Sequence, residues 1–218
     1  MPQQTMPAAV NHGKDDLRIE EVAVPELGPG DALVEVSYCG ICGSDVHFVT
    51  EGWGAPGSTG GHEWSGVVID VGSQVTKWHL GDQVIGGPGH GCGTCAMCLA
   101  RRPSLCENRG TPGTTPGTRG AFARYKQADA ESLLKVPEGL SLREAALTEP
   151  LAVAVHAASM AKAKAGQRIL VSGAGPIGLL VTSVLKVWGV DDITVCEPGQ
   201  MRLERARALG AAAVITPD

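Results

Sequence analysis

The sequence predicts a β-rich first half followed by an α/β second half built on a parallel, doubly wound sheet. Three observations carry this. Before Gly86 the apolar residues fall in short runs, alternating or bounded by glycine, as strands require. After Ser141 they recur at helical spacing between short apolar runs, the strand–helix alternation of a parallel sheet. Between one such strand and helix stands Gly173-Ala174-Gly175-Pro176-Ile177-Gly178, a tight glycine turn. With 43% hydrophobic and 19% charged residues, the 218-residue chain can bury one large core or two modest ones.

In chain order, Ala32 to Tyr38 reads as a strand, with Ala32, Val34, Val36 and Tyr38 on one face and Leu33, Glu35 and Ser37 on the other. Val67 to Val71 and Gln83 to Ile85 follow as short strands. From Gly86 to Gly120 the composition shifts to Gly, Pro, Thr, Cys and Arg. Such a stretch cannot hold itself together by apolar burial and needs a staple. Ser141 and Glu144 form a capping box, and a second apolar helix begins near Pro150, since proline is tolerated in a first turn. Arg168 to Ser172 reads as a buried strand. Ile177, Leu180, Val181, Val184, Leu185 and Trp188 then define one helix face. Asp192 to Cys196 is a strand, Gln200 to Leu209 a helix, and Ala213 to Thr216 opens a third strand. This βαβαβ order implies a sheet running 3-2-1.

Several function classes recede on composition. A net charge of −5 leaves no basic footprint for nucleic acid or an anionic membrane. The start MPQQTMPAAV lacks the basic and apolar regions of a secretory signal. Ile169 to Trp188 has Lys186 as its only charge, yet its SGAGPIG break reads as strand, turn and helix rather than a membrane span. The expected location is the cytoplasm, where seven cysteines argue for metal or thiol chemistry rather than disulfides.

Cys92, Cys95, Cys98 and Cys106 have C-x2-C-x2-C-x7-C spacing. A tetrahedral zinc with four thiolates closes such a loop at about 2.3 Å per bond and supplies the folding free energy it lacks. An iron–sulfur cluster and a nucleic-acid-binding zinc ribbon are the rival readings. The acidic charge and the lack of interleaved basic and aromatic residues weigh against the ribbon. Four thiolates leave no open position for substrate, so this zinc is expected to be structural.

In the glycine turn, Gly173 permits the tight bend, Gly175 admits a pyrophosphate and Gly178 allows close helix packing. Pro176 and Ile177 open the helix whose N-terminus offers free N–H donors to phosphate. Glu197 follows Gly178 by 19 positions at the end of the next strand, the place of the acidic residue that bonds the adenosine ribose. A carboxylate there repels a 2′-phosphate, so NAD is expected over NADP, although Arg202 and Arg205 stand nearby. The bland alternative is a glycine turn that binds nothing.

Upstream lie Cys39-Gly40-Ile41-Cys42-Gly43-Ser44-Asp45-Val46-His47 and Gly61-His62-Glu63-Trp64-Ser65-Gly66. A thiolate, an imidazole and carboxylates make a mixed set with room for an open zinc position. Taken singly, Cys42 also reads as a small buried hydrophobe and His62 as a satisfied core histidine. Cys39-x2-Cys42 also has the spacing of a redox pair.

Together these motifs resemble the zinc-containing medium-chain dehydrogenases, particularly the sorbitol, butanediol and threonine dehydrogenase branch. The resemblance runs from about Val22 to the last residue. Its most specific element is Gly61-His62-Glu63 with Gly66, Gly72 and Val75. Also matching are GICGSDVH, Gly81-Asp82, the four cysteines, Gly120-Ala121-Phe122-Ala123, Glu149-Pro150-Leu151 and the glycine turn. The resemblance implies a GroES-like β-barrel catalytic domain over 1–150, with its structural zinc lobe at about 86–110, and a Rossmann domain from 151 to 218. It implies reversible oxidation of a small alcohol or polyol by a nicotinamide cofactor, with one catalytic and one structural zinc. By the same resemblance, Cys42 and His62 bind the catalytic zinc. Glu63 binds that metal in some relatives and sits behind it in others. Glu149 stands where ordinary alcohol dehydrogenases have a third cysteine, and in the polyol branch it binds zinc directly or through water. Ser44 takes the substrate's proton, His47 ends the proton relay, and Asp45 orients His62. Phe48 to Thr59, with Trp53, is expected along the substrate cleft.

The sequence ends as the third strand begins, so the resemblance implies a Rossmann half without its nicotinamide-receiving part. Strand Ile169 to Ser172 is then expected as an apolar edge. A homo-oligomer is implied only for a longer form. A non-catalytic zinc-binding fragment is the alternative reading, and the 218-residue chain alone is expected to turn over poorly.

Overall fold

The structure, a computed structural model, describes residues 4–87, 91–108 and 119–217. The chain forms two compact units, Met1–Leu147 and Thr148–Asp218.

In the first unit, β1 (Thr5–Gly13) and β2 (Asp16–Ala23) pair antiparallel through a tight turn. The unit's main sheet has five antiparallel strands: β3 (Asp31–Gly40), β4 (Glu63–Val71), β5 (Gln83–Gly86), β6 (Tyr125–Asp129) and β7 (Leu133–Lys135). Their order is β6-β3-β4-β5-β7. Both faces of β3 are covered near its start. Ala32 and Val34 pack with Trp64, Val68, Trp78 and Val84, while Leu33 packs with Met6 and Tyr125. Trp78 is buried with its polar end satisfied, its Nε1–H donating to the Ala130 carbonyl at 2.7 Å. Helix α1 (Gly43–Thr50) follows β3, α2 (Ala96–Leu99) lies in the cysteine-rich lobe, and α3 (Leu142–Ala145) closes the unit. The Ser141–Glu144 capping box forms as read from the sequence.

The expected alternation of β3 holds only to Val36. The pairs Val36↔Gly66 and Tyr38↔Ser65 set two residues of β3 against one of β4, a bulge that turns Tyr38 out to 47% exposure. The same extra residue re-aims the end of the strand, from which Cys39 and Cys42 emerge.

In the second unit, β8 (Arg168–Ser172), β9 (Asp192–Cys196) and β10 (Ala213–Ile215) pair in parallel in the order β10-β9-β8, as the sequence implies. Helices α4 (Thr148–Met160), α5 (Pro176–Val187) and α6 (Gln200–Ala208) accompany them. The core joins Ala154 and Ala158 of α4 to Val184 and Leu185 of α5, Ile193 and Val195 of β9, and Ala206 of α6. Of the face expected on α5, Val184 and Leu185 are buried and Leu180 and Val181 pack beside them. Ile177 and Trp188, at its two ends, are exposed by 39% and 37%. Thr182 is buried in their place, because its hydroxyl donates to the Gly178 carbonyl at 2.9 Å and so carries no unpaired polar atom inward. Among the described residues β8 pairs on one side only, and its Leu170 is 62% exposed. No helix among the described residues is long and apolar enough to cross a membrane.

Candidate active site and metal centres

The end of β3 and the start of β4 are paired, Cys39 with Trp64 and Gly40 with Glu63. This register places Cys42, two residues past β3, beside His62, one residue before β4. Cys42, His62 and Glu63 each offer a ligand atom, and these atoms lie within 4.8 Å of one another. Tetrahedral bonds of about 2.0–2.3 Å would set ligand atoms about 3.3–3.8 Å apart, so a modest contraction suits zinc.

Asp45 holds this arrangement. It is 5% exposed; its Oδ2 accepts the Cys42 N–H at 2.9 Å and its Oδ1 the Gly61 N–H at 3.1 Å. One buried carboxylate therefore ties together the two loops that carry the ligands. Its Oδ1 is 3.7 Å from His62 Nδ1, beyond hydrogen-bond length, so it fixes the histidine chiefly through the backbone of its neighbour. That neighbour must be glycine. Gly61 has φ +93°, and a Cβ there would meet the Phe122 nitrogen at 2.8 Å and Cys39 Sγ at 2.9 Å. Burial pushes the Cys39 thiol up to about 12, which makes it a poor nucleophile and weighs against a Cys39–Cys42 redox pair.

Ser44 and His47 sit three residues apart on α1 and so share a face. His47 Nδ1 is 2.7 Å from Glu51 Oε1, and its ring stacks on Trp53 at 5.0 Å between centroids. The i,i+4 spacing of His47 and Glu51 was visible in the sequence, but its signal went unread. Trp53 is 56% exposed. Phe48, Val49, Gly54 and Ser58, from the same expected cleft segment, line an apolar cavity of about 550 Å³ behind α1.

Of the expected lobe at about 86–110, residues 88–90 and 109–110 lie outside the described residues. Cys92, Cys95, Cys98 and Cys106 come together with their sulfurs within 4.8 Å of one another. Cys95 Sγ and Cys106 Sγ are 4.0 Å apart, close to the ~3.75 Å of two tetrahedral Zn–S bonds. Backbone N–H groups point at the sulfurs: Cys95 N–H to Cys92 Sγ and Cys92 N–H to Cys106 Sγ, both at 3.2 Å. Thr94 Oγ1 and Asn108 Nδ2 add bonds to Cys92 Sγ at 3.4 Å. These donors, Thr94 first, pull the Cys92 thiol down to about 5, while desolvation pushes Cys98 up to about 11. Donors aimed at sulfur suit thiolate ligands, so the donor set fits a metal.

The glycine turn joins β8 to α5. Gly175 is the N-cap and Pro176 the first helical residue, while Gly173 has φ +91°. A Cβ on Gly178 would strike the Gly173 carbonyl at 2.0 Å, the close packing that the fingerprint requires. Glu197 is 4% exposed; its Oε2 accepts the Ala174 N–H at 2.8 Å and its Oε1 the Gly199 N–H at 3.0 Å. These bonds, the Ala174 one first, hold its carboxyl below the usual range. Arg202 lies 3.6 Å from Glu197 Oε1. Glu149 stands in the first turn of α4, in the second unit.

A GroES-like unit with two sets of zinc-type ligands, in a chain that also carries a dinucleotide turn, defines the class of zinc-binding dehydrogenases. Residues 28–138 match the alcohol dehydrogenase GroES-like domain. Sorbitol dehydrogenase of Bacillus subtilis strain 168 is 36% identical over 222 residues, covering 97% of this chain and 61% of that protein. The crystal structure of 2R,3R-butanediol dehydrogenase from Bacillus subtilis superposes with a TM-score of 0.85 at 38% identity, covering 97% of this chain and 63% of that one. A Sinorhizobium meliloti 1021 protein described as a zinc-binding dehydrogenase, bound to NADP, gives a TM-score of 0.91 at 32% identity, with coverages of 99% and 63%. The chain belongs to the zinc-containing medium-chain alcohol and polyol dehydrogenase family. It spans about three-fifths of the length of the curated relatives it matches.

Proposed function

We propose that this chain carries the catalytic zinc unit and the adenosine-binding half-sheet of a cytoplasmic dehydrogenase that moves a hydride between a small alcohol or polyol and NAD. The observation that carries this reading is the convergence of Cys42, His62 and Glu63 beside a helix bearing Ser44 and His47. Cys42, His62 and Glu63 hold the catalytic zinc, with Glu149 as a further ligand, direct or through water. Cys92, Cys95, Cys98 and Cys106 hold the structural zinc. Zinc, when bound, supplies a Lewis acid for the substrate hydroxyl. The nicotinamide cofactor, when bound, is the hydride carrier.

The chain's own residues do the rest. Ser44 accepts the hydroxyl proton and His47 passes it to solvent. Asp45 keeps the two ligand loops in register, so the ligands are positioned before the metal arrives. At the second unit, Gly173, Gly175, Ile177 and Gly178 offer backbone N–H groups to the pyrophosphate, while Pro176, which has no N–H, sets the first turn of the helix. Glu197 and Arg202 face the adenosine ribose. The buried carboxylate, fixed by two backbone N–H groups, favours NAD over NADP.

Zinc per purified chain, by elemental analysis with protein quantified by amino-acid hydrolysis, tests the core of this reading. Two zinc ions are expected, one of them lost in Cys42→Ala. A stoichiometry of one that Cys42→Ala leaves unchanged would refute the catalytic site.

A further inference from the structure

His47 carries three separate constraints. On its own helix, the Glu51 N–H donates to the His47 carbonyl at 3.0 Å, so the two backbones are locked one turn apart. The Glu51 carboxylate then reaches the ring at Nδ1, 2.7 Å away. Gly52, at φ +74°, turns the chain back in a conformation that favours glycine, and the next residue, Trp53, stacks on the imidazole with an interplanar angle of 23°. A chance surface ion pair, worth little in itself, does not bring a stacked ring and a glycine turn with it.

From this geometry, and resting on the reading of His47 as the end of the proton relay, we infer that Glu51 is its positioning residue and Trp53 the plate that fixes its plane. A carboxylate only accepts hydrogen bonds, so the neutral ring keeps its proton on Nδ1 and leaves the Nε2 lone pair free. The relay proton arrives at Nε2 and leaves from Nε2 to water. Glu51 stays ionised throughout, and the transient imidazolium forms against its charge. The ring need not flip between turnovers. The logic is that of the carboxylate that sets the imidazole tautomer in a serine-protease triad, here half exposed and on a single helix.

The test is the tautomer of His47, read by long-range proton–nitrogen NMR on the 15N-labelled chain at a pH where the ring is neutral. The His47 signals are assigned by their loss in His47→Gln. Nδ1 is expected to be the protonated nitrogen and Nε2 the bare one. Glu51→Ala should shift the ring to the Nε2–H form that an unconstrained histidine side chain prefers, whereas Trp53→Ala, which leaves the carboxylate in place, should keep Nδ1–H. An Nε2–H ring in the unmodified chain, or an unchanged tautomer in Glu51→Ala, overturns the inference. The parent reading stands or falls separately. If His47→Gln leaves the turnover of the zinc-loaded protein, however slow, undiminished, His47 is no relay; if turnover falls while the tautomer is Nε2–H, the role of Glu51 alone is wrong.

Discussion

The two candidate metal centres of this chain are built in opposite ways. The four-cysteine lobe draws its ligands from one short segment, and its regular structure is a four-residue helix and a single 3-10 turn. None of its described residues is buried, and its order rests on N–H and O–H groups aimed at sulfur. The Cys42–His62–Glu63 centre instead joins two segments about twenty residues apart. Paired strands bring them together and a buried carboxylate fastens them. On the function proposed above, the first centre gains most of its stability from its metal. The second is a structure that is ready for a metal.

Cys98→Ala should separate them most strongly. Structural zinc in small modules is worth roughly 10–16 kcal/mol in apparent binding energy. The lobe should therefore lose its hydrogen-exchange protection and its zinc, while β3 and β4 keep theirs. A global loss of protection would show that the two centres fold as one.

Asp45→Ala attacks the other side. It leaves the N–H groups of Cys42 and Gly61 without their acceptor, at roughly 1–3 kcal/mol each. A loss of about 2–5 kcal/mol in denaturant unfolding is expected, with the lobe zinc retained and the other lost. Full retention of both zincs would mean that the ligands do not depend on the fastening.

The smallest effect is expected from Thr94→Val, which removes the hydroxyl that donates to Cys92 Sγ. In the metal-free chain the Cys92 thiol lies near 5, below its ordinary 9.0. A lowered thiol pKa contributes stability that is full above the unfolded value, about 9, and lost as pH falls through about 5. Cys92 alkylation should therefore already be fast at neutral pH, with Cys39, at about 12, the slowest. In Thr94→Val the pH midpoint of Cys92 alkylation should move up, and zinc affinity should fall by about tenfold or less, the low end for a group that hydrogen-bonds a ligand. An unmoved midpoint would assign the low value to Asn108 and the backbone donors.

The same contrast explains what was legible in the sequence. The lobe is local, so spacing alone exposed the clustering of its four cysteines. The half-sheet was legible for a related reason: each strand, turn and helix is contiguous, and the glycine turn marks their junction. The centre at Cys42 was legible only through resemblance, because its geometry depends on strand register. Strands β1, β2, β6 and β7 escaped notice. In β1, TMPAAVNHG, the apolar Pro7 and Ala9 blur the alternation of the buried Met6, Ala8 and Val10, and in β2 the alternating Leu17 and Ile19 are exposed rather than buried. Tyr38 was placed on the wrong face because a bulge is a property of the pair and not of one strand. The fastening by Asp45 was hidden because one of its partners is the backbone of Gly61, sixteen residues on.

The bulge in β3 has a consequence for how this protein can vary. One surplus residue between Val36 and Tyr38 acts as a phase shift for everything downstream, since strand side chains alternate every second residue. Deleting that residue would remove this bulge, leaving the opposite irregularity between Leu33 and Val34, and would rotate Cys39 and the approach to Cys42 by half a repeat. The segment between the sheet and its first ligand is therefore constrained in length more than in composition. Substitutions there are absorbed locally, whereas a change of one in the count moves the ligand away from its partners.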